Sequence, residues 1–123
     1  MRIIQAISEV DALKANTYSQ DQKIQWLSRV DGMVKRLVMD RHEGDDGARF
    51  TGYGPETDTE TQLLVEEPFD EMYIRYLQAM IDLTNGELTK YNNHIELFNT
   101  VFVNYQRDYT RTHMPKQTGL RFF

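Results

Sequence analysis

From Leu88 to Tyr109 the chain reads LTKYNNHIELFNTVFVNYQRDY, with large apolar or aromatic residues at Leu88, Tyr91, Ile95, Phe98, Phe102, Tyr105 and Tyr109. Alternating steps of three and four are the heptad spacing of a helix packed along its length against other helices. Leu97 and Val101 widen this line to about half the circumference, beyond the roughly 100° that a surface helix needs to face one core. The line also continues backwards in register through Thr84, Ile81 and Leu77. Asn85-Gly86 is therefore either a tight break between two helices or a kink in one. The break is expected, because one helix from Phe69 to Arg111 would be about 60 Å long and could hardly fold back into a globule.

Three further helices follow from periodicity and punctuation. A short amphipathic piece over 6–14 carries Ile7, Val10 and Leu13. Ser19 then opens a stronger helix, since Ser19 and Gln22 form the S-x-x-Q capping-box pattern and Ile24, Leu27, Val30, Val34, Leu37 and Val38 recur on one face to about Arg41. Gly32 inside it costs about 1 kcal/mol relative to alanine, so it is either tightly packed or merely tolerated. Pro68 suits the first turn of the next helix, whose buried stripe is Tyr73, Ile74, Leu77, Met80, Ile81 and Thr84.

Between His42 and Gln62 helical periodicity disappears, and Gly44, Gly47, Gly52, Gly54 and Pro55 supply loop chemistry. The flanks ARFTGY and TQLLVEE read as a small hairpin. Clustered like charges and little apolar surface make the loop an expected mobile segment. At the other end Pro115 stops the last helix. These pieces predict a mainly α fold: a small bundle of three to four helices over 1–113, with an acidic loop at 43–65, a small β-hairpin, and an extended tail at 114–123.

Charge and composition then narrow the function. The 123 residues fit one domain. With no cysteine, disulfides, thiolate metal sites and cysteine nucleophiles are excluded. No apolar run approaches the length of a membrane span, and MRIIQAISEV lacks the apolar core of a secretory signal, so a protein made and used inside a cell is expected. A net charge of -5 argues against a free-standing DNA binder. The charge is uneven: ten of the nineteen acidic residues lie from Glu43 to Glu71 beside a single base, Arg49, whereas Arg107, Arg111, Lys116 and Arg121 follow Tyr105 against only Asp108.

The segment FDEMYIRYLQAMIDLTNGELTKYNNHIELFNTVFVNYQRDYTRTHMP, preceded by YSQDQKIQWLSRVDGMVKRLVMDRH, resembles the small helical head-to-tail connector proteins, or adaptors, of tailed bacteriophages. The resemblance covers residues 12–116. It rests on Trp26-Leu27, the Tyr73/Tyr76/Leu77 run, Tyr91-Asn92-Asn93, Phe98-Asn99 and the terminal Arg-x-x-x-Pro. It implies a dodecameric ring of copies beneath a portal protein, extending the channel for passing genomic DNA without reading its sequence, and receiving a stopper or tail-completion protein. The implied location is the head-tail junction of the virion, and the host cytoplasm during assembly, with no membrane. No cofactor, metal or catalytic residue is implied.

Carried onto this chain, the resemblance makes Met114, Pro115, Lys116, Leu120, Arg121, Phe122 and Phe123 the portal-docking tail. Its loop carboxylates Asp45, Asp46, Glu56, Asp58 and Glu60 would face the channel or the next ring, or else form an ordinary solvated surface; this loop is longer and more acidic than in simpler adaptors. Leu97 and Val101 either form the subunit interface or sit under the loop or first helix of the same chain. Asn92, Asn93, Asn99 and Asn104 are either hydrogen-bonding groups between subunits or solvated side chains.

Two other classes make different demands on the residues. A small helical DNA-binding regulator would need a turn between two short helices in 17–37, where the pattern is one long helix. An acid-base or metal enzyme would need its carboxylates paired with a base, an oxyanion donor or a ligand set. His42, His94 and His113 are scattered, and Asp45-Asp46-Gly47 lacks the ligand alternation of an EF-hand.

Overall fold

The structure, a computed structural model, describes residues 1–42 and 49–116. It contains α1 (Ile3–Leu13), α2 (Gln20–Leu37), a 3-10 turn at Met39–Arg41, α3 (Glu71–Asn85) and α4 (Leu88–Thr112). The mainly α bundle read from the sequence is the fold observed, with a long loop between the 3-10 turn and α3.

α3 is the central element. α1 and α2 pack on each other and on α3, while α4 packs on α3 alone among the helices. Ten of the fifteen α3 residues are consequently buried, including Tyr73, Leu77 and Ile81 together with the polar Gln78 and Asp82. Each fully buried aliphatic side chain here contributes about 2 kcal/mol relative to exposure.

The N-terminal helices show how local signals and distant partners combine. Ser19 Oγ accepts from the Gln22 backbone N–H at 3.1 Å, as the capping pattern requires, but the Gln22 amide turns to Gln25 instead of back to Ser19. α1 starts at Ile3, ahead of the expected position. The reason is that its first free N–H groups find carbonyls far along the chain: Ile3 N–H donates to Thr61 O at 3.0 Å and Ile4 N–H to Thr59 O at 2.9 Å. Its buried line is Ile3, Ala6, Ile7 and Val10, and Leu13 is 60% exposed, contrary to expectation. Gly32 is merely tolerated, since a Cβ there would meet only Phe50 at 4.0 Å.

Two local expectations are corrected. No hairpin forms among the described residues of the loop flanks; instead Leu63 N–H donates to Met1 O at 2.9 Å, Leu64 N–H to Asp31 and Val65 N–H to the Tyr73 hydroxyl, so 63–65 is a strap bonded across the helices. Pro68 precedes α3 instead of starting it. The Glu67-Pro68 bond is cis, and the helix begins at Glu71.

The break at Asn85-Gly86 is real. Gly86 adopts φ 80°, its N–H donates to Leu83 O, and Glu87 N–H reaches Asp82 O at 2.8 Å, the paired bonds of a Schellman ending. A Cβ on Gly86 would have open space around it. Gly86→Ala is therefore expected to cost only the backbone strain, about 1 kcal/mol, with asparagine cheaper than alanine. Urea unfolding of the two variants checks this order.

Candidate subunit interface and tail-docking surface

α4 spans 25 residues, about 37 Å, yet only Phe98, Phe102 and Tyr105 are buried on it. These side chains continue an aromatic ladder between layers: Tyr76 to Phe98 at 5.2 Å, Phe98 to Phe102 at 5.7 Å and Phe69 to Tyr105 at 5.8 Å between ring centres. Tyr91, Ile95 and Tyr109 are half-buried beside them, whereas Leu88 at the start of the line is exposed. The wide apolar arc is thus divided. Val101 is half-buried at the edge of the core, and Leu97 is 44% exposed, as is Val103 to 40%. Asn92, Asn93, Asn99 and Asn104 are all exposed.

The far end of α4 is tied to the end of α2. His42 is buried, with Nδ1 2.6 Å from Val38 O and Nε2 3.1 Å from Thr110 Oγ1, and its ring meets Tyr109 edge-on at 5.0 Å. His113 stacks on Tyr109 at 3.8 Å. The first residues of the predicted tail are held there too: Pro115 bridges to His42, and Lys116 N–H donates to Arg41 O at 2.9 Å. Met114, Pro115 and Lys116 nevertheless expose their side chains. Leu120, Arg121, Phe122 and Phe123 lie outside the described residues. Beside this end, Phe69, Asn104, Gln106, Arg107, Thr110 and Arg111 line an open groove of about 970 Å³.

Of the loop carboxylates, Asp45 and Asp46 also lie outside the described residues. Glu56, Asp58 and Glu60 are exposed, and Glu60 is paired with Arg2. The second half of the loop is more strongly held than its composition implies. Tyr53 N–H donates to Ser28 Oγ at 2.9 Å, and Leu63 and Val65 are buried. The expected mobility therefore does not extend to 53–65, because hydroxyl and backbone partners on α1, α2 and α3 satisfy it.

Two buried carboxylates hold these elements in place, and periodicity alone does not find them. Asp31, wholly buried on α2, accepts from the Tyr53 hydroxyl at 2.5 Å, the Tyr73 hydroxyl at 2.5 Å and Leu64 N–H at 3.1 Å. Burial raises its pKa above the ordinary carboxylate value, against the opposing effect of these donors. Burial and the Asp31 charge together push both tyrosine hydroxyls upward, so they remain donors. The sequence signal was a carboxylate occupying a heptad slot between Leu27 and Val34.

Asp82, also wholly buried, sits where α1, α3 and α4 converge. Lys14 donates to one of its oxygens, and His94 Nδ1 lies 2.6 Å from the other. Lys14 reaches Glu87 as well, at 3.0 Å. Hydrogen bonds to Asp82 and then Glu87 raise the Lys14 pKa, while those from Lys90, Lys14 and Asn85 hold Glu87 down to about 2.

Among the described residues no group of His, Cys, Asp and Glu is placed to hold a metal ion, and no helix is long and apolar enough to cross a membrane. Compared with family models, curated proteins and solved structures, the chain matches none.

Proposed function

We propose that this chain is a structural ring subunit of a phage head-tail junction, extending the portal channel and joining it to the next neck component. The observation that carries the reading is the long α4, held along one line by α3 and leaving Leu97, Val103 and the four asparagines uncovered. A helix of that length with an uncovered, mixed apolar and amide face fits side-by-side packing of copies, in which a few apolar anchors sit among hydrogen-bonding groups. The resemblance of residues 12–116 to the connector proteins supplies the setting. In this reading Leu97 lies within the contact and Val101 at its margin, the tail from Met114 onward reaches the portal, and Glu56 and Asp58 face the channel or the next ring.

The test is direct. The purified chain, alone and with a cognate portal protein, is examined by sedimentation velocity and negative-stain imaging; closed rings or a ring on the portal are expected, and a persistent monomer that ignores the portal would refute the reading. Leu97→Asp should weaken assembly by about tenfold or more, because a charge placed in an apolar contact must be desolvated without a partner. The same variant should keep its helical circular dichroism and lose no more than about 0.5 kcal/mol as a monomer, given the exposure of the side chain.

A further inference from the structure

α4 carries a second heptad line on its outer side. Asn93, Leu97, Thr100, Asn104, Arg107 and Arg111 follow one another in steps of four, three, four, three and four, and every one is exposed. At about 100° per residue this line lies roughly opposite the one that packs on α3. It is not a greasy strip seeking a core: one leucine and three neutral hydrogen-bonding side chains lead into two arginines. Among the described residues Arg107 has no ion-pair partner, and Arg111 has only a loose one, Asp108 at 3.9 Å.

A surface of opposite character exists on the same molecule. Glu9 of α1 and Glu66, Glu67 and Asp70 before α3 line a common cleft of about 460 Å³ with Met1 and Gln5. Among the described residues the N-terminal ammonium, 3.9 Å from Asp70, is the cation in that cleft, and none of Glu66, Glu67 and Glu9 is ion-paired. The acidic surface is built on α1 and the segment before α3, and the arginine line on α4, which does not pack on α1.

We infer that the outer line of α4 docks on the acidic cleft of a second copy, Arg107 and Arg111 meeting Glu66, Glu67 and their neighbours, with Leu97 as the apolar element farther along. A second copy fits as the occupant on electrostatic grounds. Copies carrying a net charge of -5 repel one another over most orientations, and a contact that sets the arginines against the carboxylates is the arrangement of this surface that converts repulsion into attraction and fixes direction. Because the two patches are different, the contact is heterologous, and repetition closes into a ring or runs on as a filament. The inference rests on the ring reading above and specifies its contact.

Reciprocal charge reversal tests it. One variant carries Glu66→Arg and Glu67→Arg, a second carries Arg107→Glu and Arg111→Glu, and a third carries all four changes. These side chains are exposed, and circular dichroism with thermal melting establishes that each variant is folded. Each double variant alone should self-associate at least about tenfold more weakly than the native chain. The two double variants mixed together should assemble beyond dimers, and the fourfold variant should recover association alone, with raised salt weakening every assembly. Failure of both the mixture and the fourfold variant to recover association overturns the inference, as does a mixture that stops at dimers. Recovery into open filaments instead of rings would uphold this contact while refuting the connector, and closed rings indifferent to all four changes would do the reverse.

Discussion

Replacing Asp31 by alanine is expected to lower the stability by about 4 kcal/mol and the melting temperature by about 15 °C. The side chain accepts three hydrogen bonds, and its removal leaves the buried Tyr73 hydroxyl and the half-buried Tyr53 hydroxyl and Leu64 N–H without their acceptor. Each orphaned donor costs about 1 to 3 kcal/mol, partly recovered if water enters. The cost lies in the mismatch, not in the loss of a charge. Asp31→Leu combined with Tyr53→Phe and Tyr73→Phe should therefore recover a large part of the loss, although Val65 N–H then lacks the Tyr73 oxygen to which it donates. Urea unfolding of the single and triple variants measures both effects.

The same residue sets a pH dependence of definite sign. Burial makes Asp31 easier to protonate in the folded chain than in the unfolded one. Its contribution is then fully present below the unfolded carboxylate pKa of about 4 and is lost as the pH rises through the higher folded value. Relative to Asp31→Asn, the native chain should gain stability as the pH is lowered from neutral. Glu87, held down to about 2, acts oppositely: its contribution is present above its ordinary pKa and is lost as the pH falls toward 2. Comparing native and Asp31→Asn chains at each pH isolates the first effect from the second.

Asp82→Ala is expected to cost about 3 kcal/mol, or about 12 °C in melting temperature. The variant strips the buried acceptor from both Lys14 and His94, so α1, α3 and α4 lose their common tie. Lys14 keeps Glu87 at 3.0 Å, but His94 keeps no carboxylate. Lys14→Met should accordingly be milder than Asp82→Ala, since it leaves the His94 contact and removes the more exposed partner. Thermal melting of the two variants decides the order, and equal losses would show that Lys14 is the dominant partner.

Periodicity located α2, α3 and α4 and most of their buried lines, which depend on residues three and four apart, although Thr84 and Leu88 at the elbow between α3 and α4 are exposed. The break at Gly86 was legible for the same reason, a left-handed glycine between two in-register stripes. What periodicity could not supply were the bonds between distant segments. Tyr53 reaches Asp31 across 22 residues and Tyr73 reaches it across 42, and no local spacing predicts which polar group in a loop will satisfy which polar group on a helix. The early start of α1 has the same origin in Thr59 and Thr61. The hairpin does not form because TQLLVEE, with Leu63 and Val65 buried, makes its hydrogen bonds to Met1, to Asp31 of α2 and to Tyr73 of α3 instead of to ARFTGY. On the outer face of α4, the exposures of Leu97 and Val101 separated two positions that the sequence placed together.

The position of α3 between the other helices has a mechanical meaning. The helix–helix contacts of α4 run through α3, so a displacement imposed on α4 reaches the α1–α2 pair through α3 and, in parallel, through two side-chain ties. One tie is Lys14–Asp82–His94 at the elbow, and the other is His42 with Thr110 and Tyr109 at the far end. Between these points the compliance of the molecule is set by the aromatic ladder along the α3–α4 seam. A pull or twist on the outer face of α4 therefore loads the aromatic contacts of the α3–α4 seam and the two polar ties together.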